Sequence, residues 1–185
     1  MEPEQLAERV WPGQPVSIEP LGGGITNRNF KVEADGHQFV LRIGGKDTEL
    51  LGIDRANEYA ASCVAAELGI GPEVVAFVEG CLVTRYVGGE VGNVDVDWVG
   101  AALRRLHDGP VVPGRFDSFR VVEAYGATAR KHGVAVPSAY EGAKELADQI
   151  ERRRSDALLR PCHNDLLRAN FIGDDSHLWL VDWEY

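Results

Sequence analysis

Apolar and polar positions alternate with a period near two early in the chain and near 3.6 in its middle, which predicts a sheet-rich beginning and a helix-rich centre. Ser17 to Leu21, Asn29 to Glu33 and Gln38 to Ile43 read as three short antiparallel strands, the last two joined by the hairpin pair Asp35-Gly36. Asp54 can cap a helix from Arg55 to Leu68 that carries Ala56, Tyr59, Ala60, Cys63 and Val64 on one face and ends at Gly69. Two further strands, Val74 to Glu79 and Cys81 to Val87, flank a Glu79-Gly80 turn. The glycine-rich Gly88 to Asn93 then reads as a lobe boundary. Helical patterns follow over Val96 to Gly109, Ser118 to His132 and Ala139 to Arg153. The fold class is α+β.

The period returns to two at the end of the chain. Asn170 to Ile172 and Leu178 to Asp182 are apolar runs separated by Gly173 to His177, so the simplest structure is a hairpin that folds Asp182 back beside Asn170. Asp165, five residues before Asn170, can curl over the same end. Two carboxylates and a carboxamide then converge, a donor set suited to magnesium, which takes oxygen ligands and shares them with substrate phosphates. Taken singly, Asp165 and Asn170 could equally cap backbone N–H groups in a loop. His163 reads as shaping that loop rather than transferring protons, and Asp174 and Asp175 as solvated turn residues. Asp182 ends an apolar strand, where an unpaired carboxylate is costly, and so favours a functional role.

The first half supplies groups that suit a phosphate. Gly22, Gly23 and Gly24 lie between two strands, where missing Cβ atoms let backbone N–H groups approach closely. The run is neither a Walker loop nor a dinucleotide fingerprint. In Phe39 to Ile43, Val40 and Arg42 share one face and Phe39, Leu41 and Ile43 the other. Arg42 needs a partner on an apolar strand, and Glu58 on the following helix can provide it.

Charge narrows the ligand classes. The 29 acidic and 19 basic side chains leave a formal net charge of -10, which disfavours nucleic acid and anionic membrane surfaces. An anionic ligand must therefore be met locally. The basic run at 151–154 reads as a solvated helix end. Cys63, Cys81 and Cys162 form no CxxC pair and read as packed, reduced cysteines. No basic leader or apolar stretch of membrane-spanning length is present, so the expected setting is cytoplasmic.

The glycine run, strand arginine, helix glutamate, "VTRYV", "LRRLH" and "HNDLLRANF…LVDWEY" occur in an order that resembles the choline/ethanolamine kinase family, within the protein-kinase-like superfamily that includes aminoglycoside phosphotransferases. The likeness runs from about Leu21 to Tyr185. It implies a bilobal fold, with a nucleotide-binding lobe and hinge at 1–87 and an incomplete, mostly helical catalytic lobe at 88–185. It also implies ATP and magnesium as cofactors. Asp165 would be the catalytic base, and Asn170 and Asp182 would hold the metal. Arg42 would contact the phosphates with Glu58 as its partner and Val40 beside it. Gly23, Gly24, Ile25, Thr26 and Asn27 would cover the phosphates, and Thr84, Arg85, Tyr86 and Val87 would form the hinge against adenine.

The implied activity is phosphorylation of a small-molecule alcohol, choline, ethanolamine or a related amino alcohol. Aminoglycoside or sugar phosphorylation stays open, as does an inactive nucleotide-binding fragment or pseudokinase. The family pattern leads one to expect roughly a hundred further residues after the metal-binding Asp. For a cationic substrate, Trp98, Tyr125, Tyr140, Trp183, Glu184 and Tyr185 are available, with core packing expected for most. A homodimer is left open.

Overall fold

The computed structural model describes residues 2–22, 26–92, 94–154, 158–174 and 176–185. It opens on a helix, α1 (Pro3–Val10), with no counterpart in the sequence reading. Eight residues give too short a period to detect, and so short a helix is held by docking rather than by propensity. Proline in its first turn and a capping box between Glu2 and Gln5 start it. Leu6 and Ala7 are fully buried.

Five antiparallel strands follow: β1 (Val16–Leu21), β2 (Asn27–Ala34), β3 (His37–Gly44), β4 (Val74–Val78) and β5 (Cys81–Arg85), in the order β1-β2-β3-β5-β4. Both predicted hairpin turns form. Asp35 and Gly36 have φ of 50° and 71°, and Glu79 and Gly80 have 52° and 77°, the left-handed pairs that let two strands meet across two residues. The alternation on β3 decides what the sheet covers. Phe39, Leu41 and Ile43 are buried with Val32, Val83, Leu6, Ala7 and Trp11, so α1 packs on that face. Val40 and Arg42 occupy the other.

Helix α2 (Arg55–Glu67) bridges β3 to β4, capped as expected by the Asp54 carboxylate, which accepts from the Ala56 and Asn57 N–H groups at 2.8 and 3.3 Å. The expected apolar face is corrected, because Ala56 and Tyr59 are exposed whereas Glu58, Ser62 and Ala65 are buried. Tyr59 instead stacks on Phe77 of β4 at 4.6 Å, and the inward row carries the ion pairs described below.

A second cluster joins Ala65 and Ile70 to Ala102 and Leu106 of α3 (Val96–His107) and to the C-terminal hairpin, β7 (Phe171–Gly173) and β8 (Leu178–Leu180). The Leu180 N–H donates to the Ile70 carbonyl at 2.8 Å, tying the hairpin to the end of α2. The glycine-rich link is not all loop, for β6 (Glu90–Val91) pairs with β7. Gly89 makes this crossing possible: at φ 131° any Cβ would lie 2.3 Å from the Gly173 carbonyl oxygen. Helices α4 (Ser118–Lys131) and α5 (Ala139–Arg153) lie outside, and α5 buries no residue.

Three strands near the site are shorter than expected. β5 stops at Arg85, and the hairpin strands stop short of Asn170 and Asp182. Asn170 closes a 3-10 turn, and Asp182 takes φ 73°, which ends pairing. Cys162 is exposed, contrary to the packed reading, since it precedes the turn at Asn164. Among the described residues no helix is long and apolar enough to cross a membrane.

Candidate active site

The loop before β7 is organised by a buried histidine. His163 is 2% exposed, and its Nδ1 lies 3.2 Å from the Asp165 backbone nitrogen. An amide N–H can only donate, so Nδ1 is the acceptor and the ring proton sits on Nε2, where it donates to the Val181 carbonyl at 3.0 Å. Burial lowers the His163 pKa, and the Val181 bond and the Asp165 and Asp182 carboxylates offset only part of this, so the ring is neutral. The loop-shaping role read from the sequence has a geometry: one imidazole ties the start of the loop to the strand leading into Asp182.

The hairpin brings the loop's other end to the same place. The Val181 N–H donates to the Asn170 carbonyl at 2.9 Å. The Asn170 Nδ2 donates to the Asp165 carbonyl at 3.0 Å and to its Oδ2 at 3.2 Å. This leaves the Asn170 Oδ1 as the carboxamide's acceptor. Asn164 takes φ 64° beside Asp165, a left-handed conformation that asparagine tolerates better than most residues. Arg168 donates through Nε and Nη2 to the Gly92 carbonyl at 3.2 and 2.8 Å, fastening the loop to the end of β6.

Asp182 meets the sheet through Arg42, which donates to it and to Glu58 Oε1 at 2.9 Å. Burial alone would lower the Arg42 pKa, but the Asp182 and Glu58 carboxylates more than offset it, and the value is raised. The network continues beyond the predicted pair. Glu58 Oε2 accepts from Arg55 Nη1 at 2.7 Å, and Arg55 Nη1 reaches Glu184 Oε2 at 3.2 Å. Glu184 in turn accepts from Thr26 Oγ1 at 2.8 Å and Asn27 Nδ2 at 2.9 Å. Arg55 has the space it needs because β3 ends in Gly44, where a Cβ would lie 3.1 Å from Arg55 Nε. The Gly45 N–H donates to the Thr26 carbonyl at 2.7 Å, and a Cβ there would press on that same oxygen at 2.7 Å.

Arg55 enters the sequence reading only as the start of a helix, and Glu184 only as a pocket candidate. A helical i,i+3 spacing from Glu58 and an acidic residue two places after Asp182 were the available signals. Of the candidates for a cationic pocket, Trp183 and Glu184 are buried, Trp98 packs half-buried on the second cluster and Tyr140 is half-buried, whereas Tyr125 and Tyr185 are exposed at 41% and 42%. Gly23, Gly24 and Ile25 lie outside the described residues. Val40 pairs with Thr84 on the Arg42 face. The Tyr86 N–H is committed to the Gln38 carbonyl at 3.0 Å, and its ring faces Lys31 Nζ at 4.6 Å. Val87 is half-buried. The Arg85 side chain is not brought to this cluster: its guanidinium lies over Phe39 at 4.9 Å, on the α1 side of the sheet.

The family model of the phosphotransferase enzyme family matches residues 17–185 of this chain. The chain belongs to that family. Protein LicA of Haemophilus influenzae is 30% identical over 178 residues, covering 88% of this chain and 52% of LicA. Thiamine kinase of Escherichia coli is 25% identical over 190 residues, covering 98% of this chain and 65% of the enzyme. Among solved structures, a choline/ethanolamine kinase family protein from Mesorhizobium loti superposes with a TM-score of 0.73 at 32% identity, covering 98% of this chain and 64% of its own. LicA in complex with AMP superposes at 0.75 with 26% identity, covering 98% and 67%. This chain therefore spans between 52% and 67% of the length of these proteins. The fold is that of the protein-kinase-like phosphotransferases, and the relatives include both LicA and thiamine kinase.

Proposed function

We propose that this chain carries the nucleotide-binding and catalytic parts of an ATP-dependent kinase acting on the hydroxyl of a small amino alcohol. The observation that carries the reading is Arg42 bonded to both Glu58 and Asp182, with Asn170 bonded to Asp165 on the loop beside it. Choline, ethanolamine and thiamine each join a primary hydroxyl to a nitrogen-bearing and commonly cationic skeleton. That shared chemistry defines the substrate class proposed here.

Asp165 is the base in this reading. It accepts the hydroxyl proton as the oxygen forms its bond to the γ-phosphorus, the bond to the β–γ bridging oxygen breaks, and ADP leaves. The Asn170 amide holds one Asp165 oxygen and so fixes the direction of the other. Arg42, oriented by Glu58, offsets charge on the phosphates. Asn170 Oδ1 and the Asp182 carboxylate fit a magnesium ion, a hard cation held by one or two carboxylates with substrate phosphates, which would neutralise phosphate charge when bound. Val40 and the Thr84 to Val87 segment would border adenine, with residues 23–27 over the phosphates. The split into lobes at 1–87 and 88–185 belongs to the same reading.

A coupled assay with ATP and, in turn, choline, ethanolamine, thiamine and an aminoglycoside tests it. Turnover with one of the amino alcohols is expected. Asp165→Ala should lower the rate by on the order of a hundredfold or more while ADP still binds. Full activity in Asp165→Ala would remove the assignment. A second reading, a nucleotide-binding unit without turnover, is separated by the same assay. Thermal stabilisation by ADP with no product from any alcohol would select it.

A further inference from the structure

Glu184 has no part in the chemistry above, yet its side chain is only 2% exposed and accepts three hydrogen bonds. A carboxylate is costly to bury, and an apolar residue of similar size would stabilise such a position at least as well if packing were all that mattered. Its partners suggest another purpose. Asn27 opens β2 and Thr26 precedes it, one residue after the glycine run in sequence. Arg55 shares its Nη1 between Glu184 and Glu58, and Glu58 holds Arg42 with its other oxygen. Its own footing is firm, because the preceding Trp183 is buried and donates through Nε1 to the Leu180 carbonyl at 2.9 Å.

We infer that Glu184 is a positioning residue for the nucleotide phosphates, fixing Thr26 and Asn27 and, through Arg55 and Glu58, the Arg42 guanidinium at a set spacing. This rests on the nucleotide reading above. A phosphate chain then meets donors that are already arranged, so the ordering cost is met on folding rather than on binding.

The full chain is titrated calorimetrically with ADP and with adenosine, both in magnesium buffer. Glu184→Gln keeps the volume and loses the charge. It should weaken ADP about tenfold while adenosine stays within about twofold, because a charge-assisted bond is lost only from the phosphate-binding side. Thr26→Val removes one hydroxyl donor and should weaken ADP by about threefold, again with adenosine unchanged; it decides the matter if Glu184→Gln does not fold. Equal losses for both ligands would mean a merely structural role and overturn the inference, as would unchanged ADP affinity. Wild-type chain that binds neither ligand would overturn the nucleotide reading and this inference together, an outcome distinct from the other two.

Discussion

Glu58 offers the sharpest test of the buried ion-pair network. Its side chain is 2% exposed and holds two guanidiniums, Arg42 at 2.9 Å and Arg55 at 2.7 Å, which are themselves 15% and 16% exposed. Removing one partner of a buried ion pair typically costs about 3–5 kcal/mol, because the other charge stays buried without compensation. Here each arginine keeps a second carboxylate, Asp182 for Arg42 and Glu184 for Arg55. The expected loss for Glu58→Leu is therefore smaller, about 2–3 kcal/mol. For a chain of this size that corresponds to a fall in Tm of roughly 5–10 °C. The double variant Arg42→Met/Glu58→Leu replaces the more buried pair with apolar side chains of similar length, leaves Arg55 on Glu184 and frees only Asp182, which is 25% exposed and can be solvated, so it should recover part of that loss. Thermal unfolding followed by circular dichroism, with urea midpoints as a second probe, measures both. A double variant no more stable than Glu58→Leu would refute the argument, because it would mean that the stranded charge was not the source of the cost.

Two other predictions bear on the loop before β7 and on the N-terminal helix. The folded state holds His163 neutral with a lowered pKa, whereas the unfolded imidazole titrates near its ordinary value of about 6.5. The unfolded chain thus binds the extra proton first, and stability is lost as pH falls below that value and through the folded pKa. His163→Asn should show a smaller drop in urea midpoint between pH 7.5 and 5.5 than the wild type, and an identical drop would refute the assignment; both are about one unit either side of the ordinary value. Leu6→Ala, at a fully buried site of α1, should cost about 2–5 kcal/mol in urea unfolding, and a loss below about 1 kcal/mol would show that α1 is not docked.

Much of this arrangement was legible because short-range signals agreed. Asp35-Gly36 and Glu79-Gly80 mark their turns by the positive φ they need, Asp54 marks a helix start, and the alternation in Phe39 to Ile43 predicts which face meets the core. The pairing of Arg42 with Glu58 followed from the cost of leaving an arginine alone among apolar neighbours. What the sequence hid depends on partners far along the chain. The face of α2 was misjudged because its buried row includes a glutamate, which apolar periodicity counts as solvent-facing until Arg42 and Arg55 are known to meet it. β6 is two residues long and takes its existence from β7, about eighty residues later, so no local period could announce it. Glu184 likewise declares its role only once Thr26 and Asn27 are beside it.

The docking of α1 also bears on where this protein can be cut. The family match starts at residue 17, whereas Leu6, Ala7 and Trp11 cover the sheet from upstream of it. A recombinant piece trimmed to the matched region would bare Val32, Phe39 and Leu41 to water, and such a contiguous apolar face drives self-association. Similarity and folding thus draw different borders. Expression designs for relatives should keep the residues that precede the first strand, even where alignment gives no reason to.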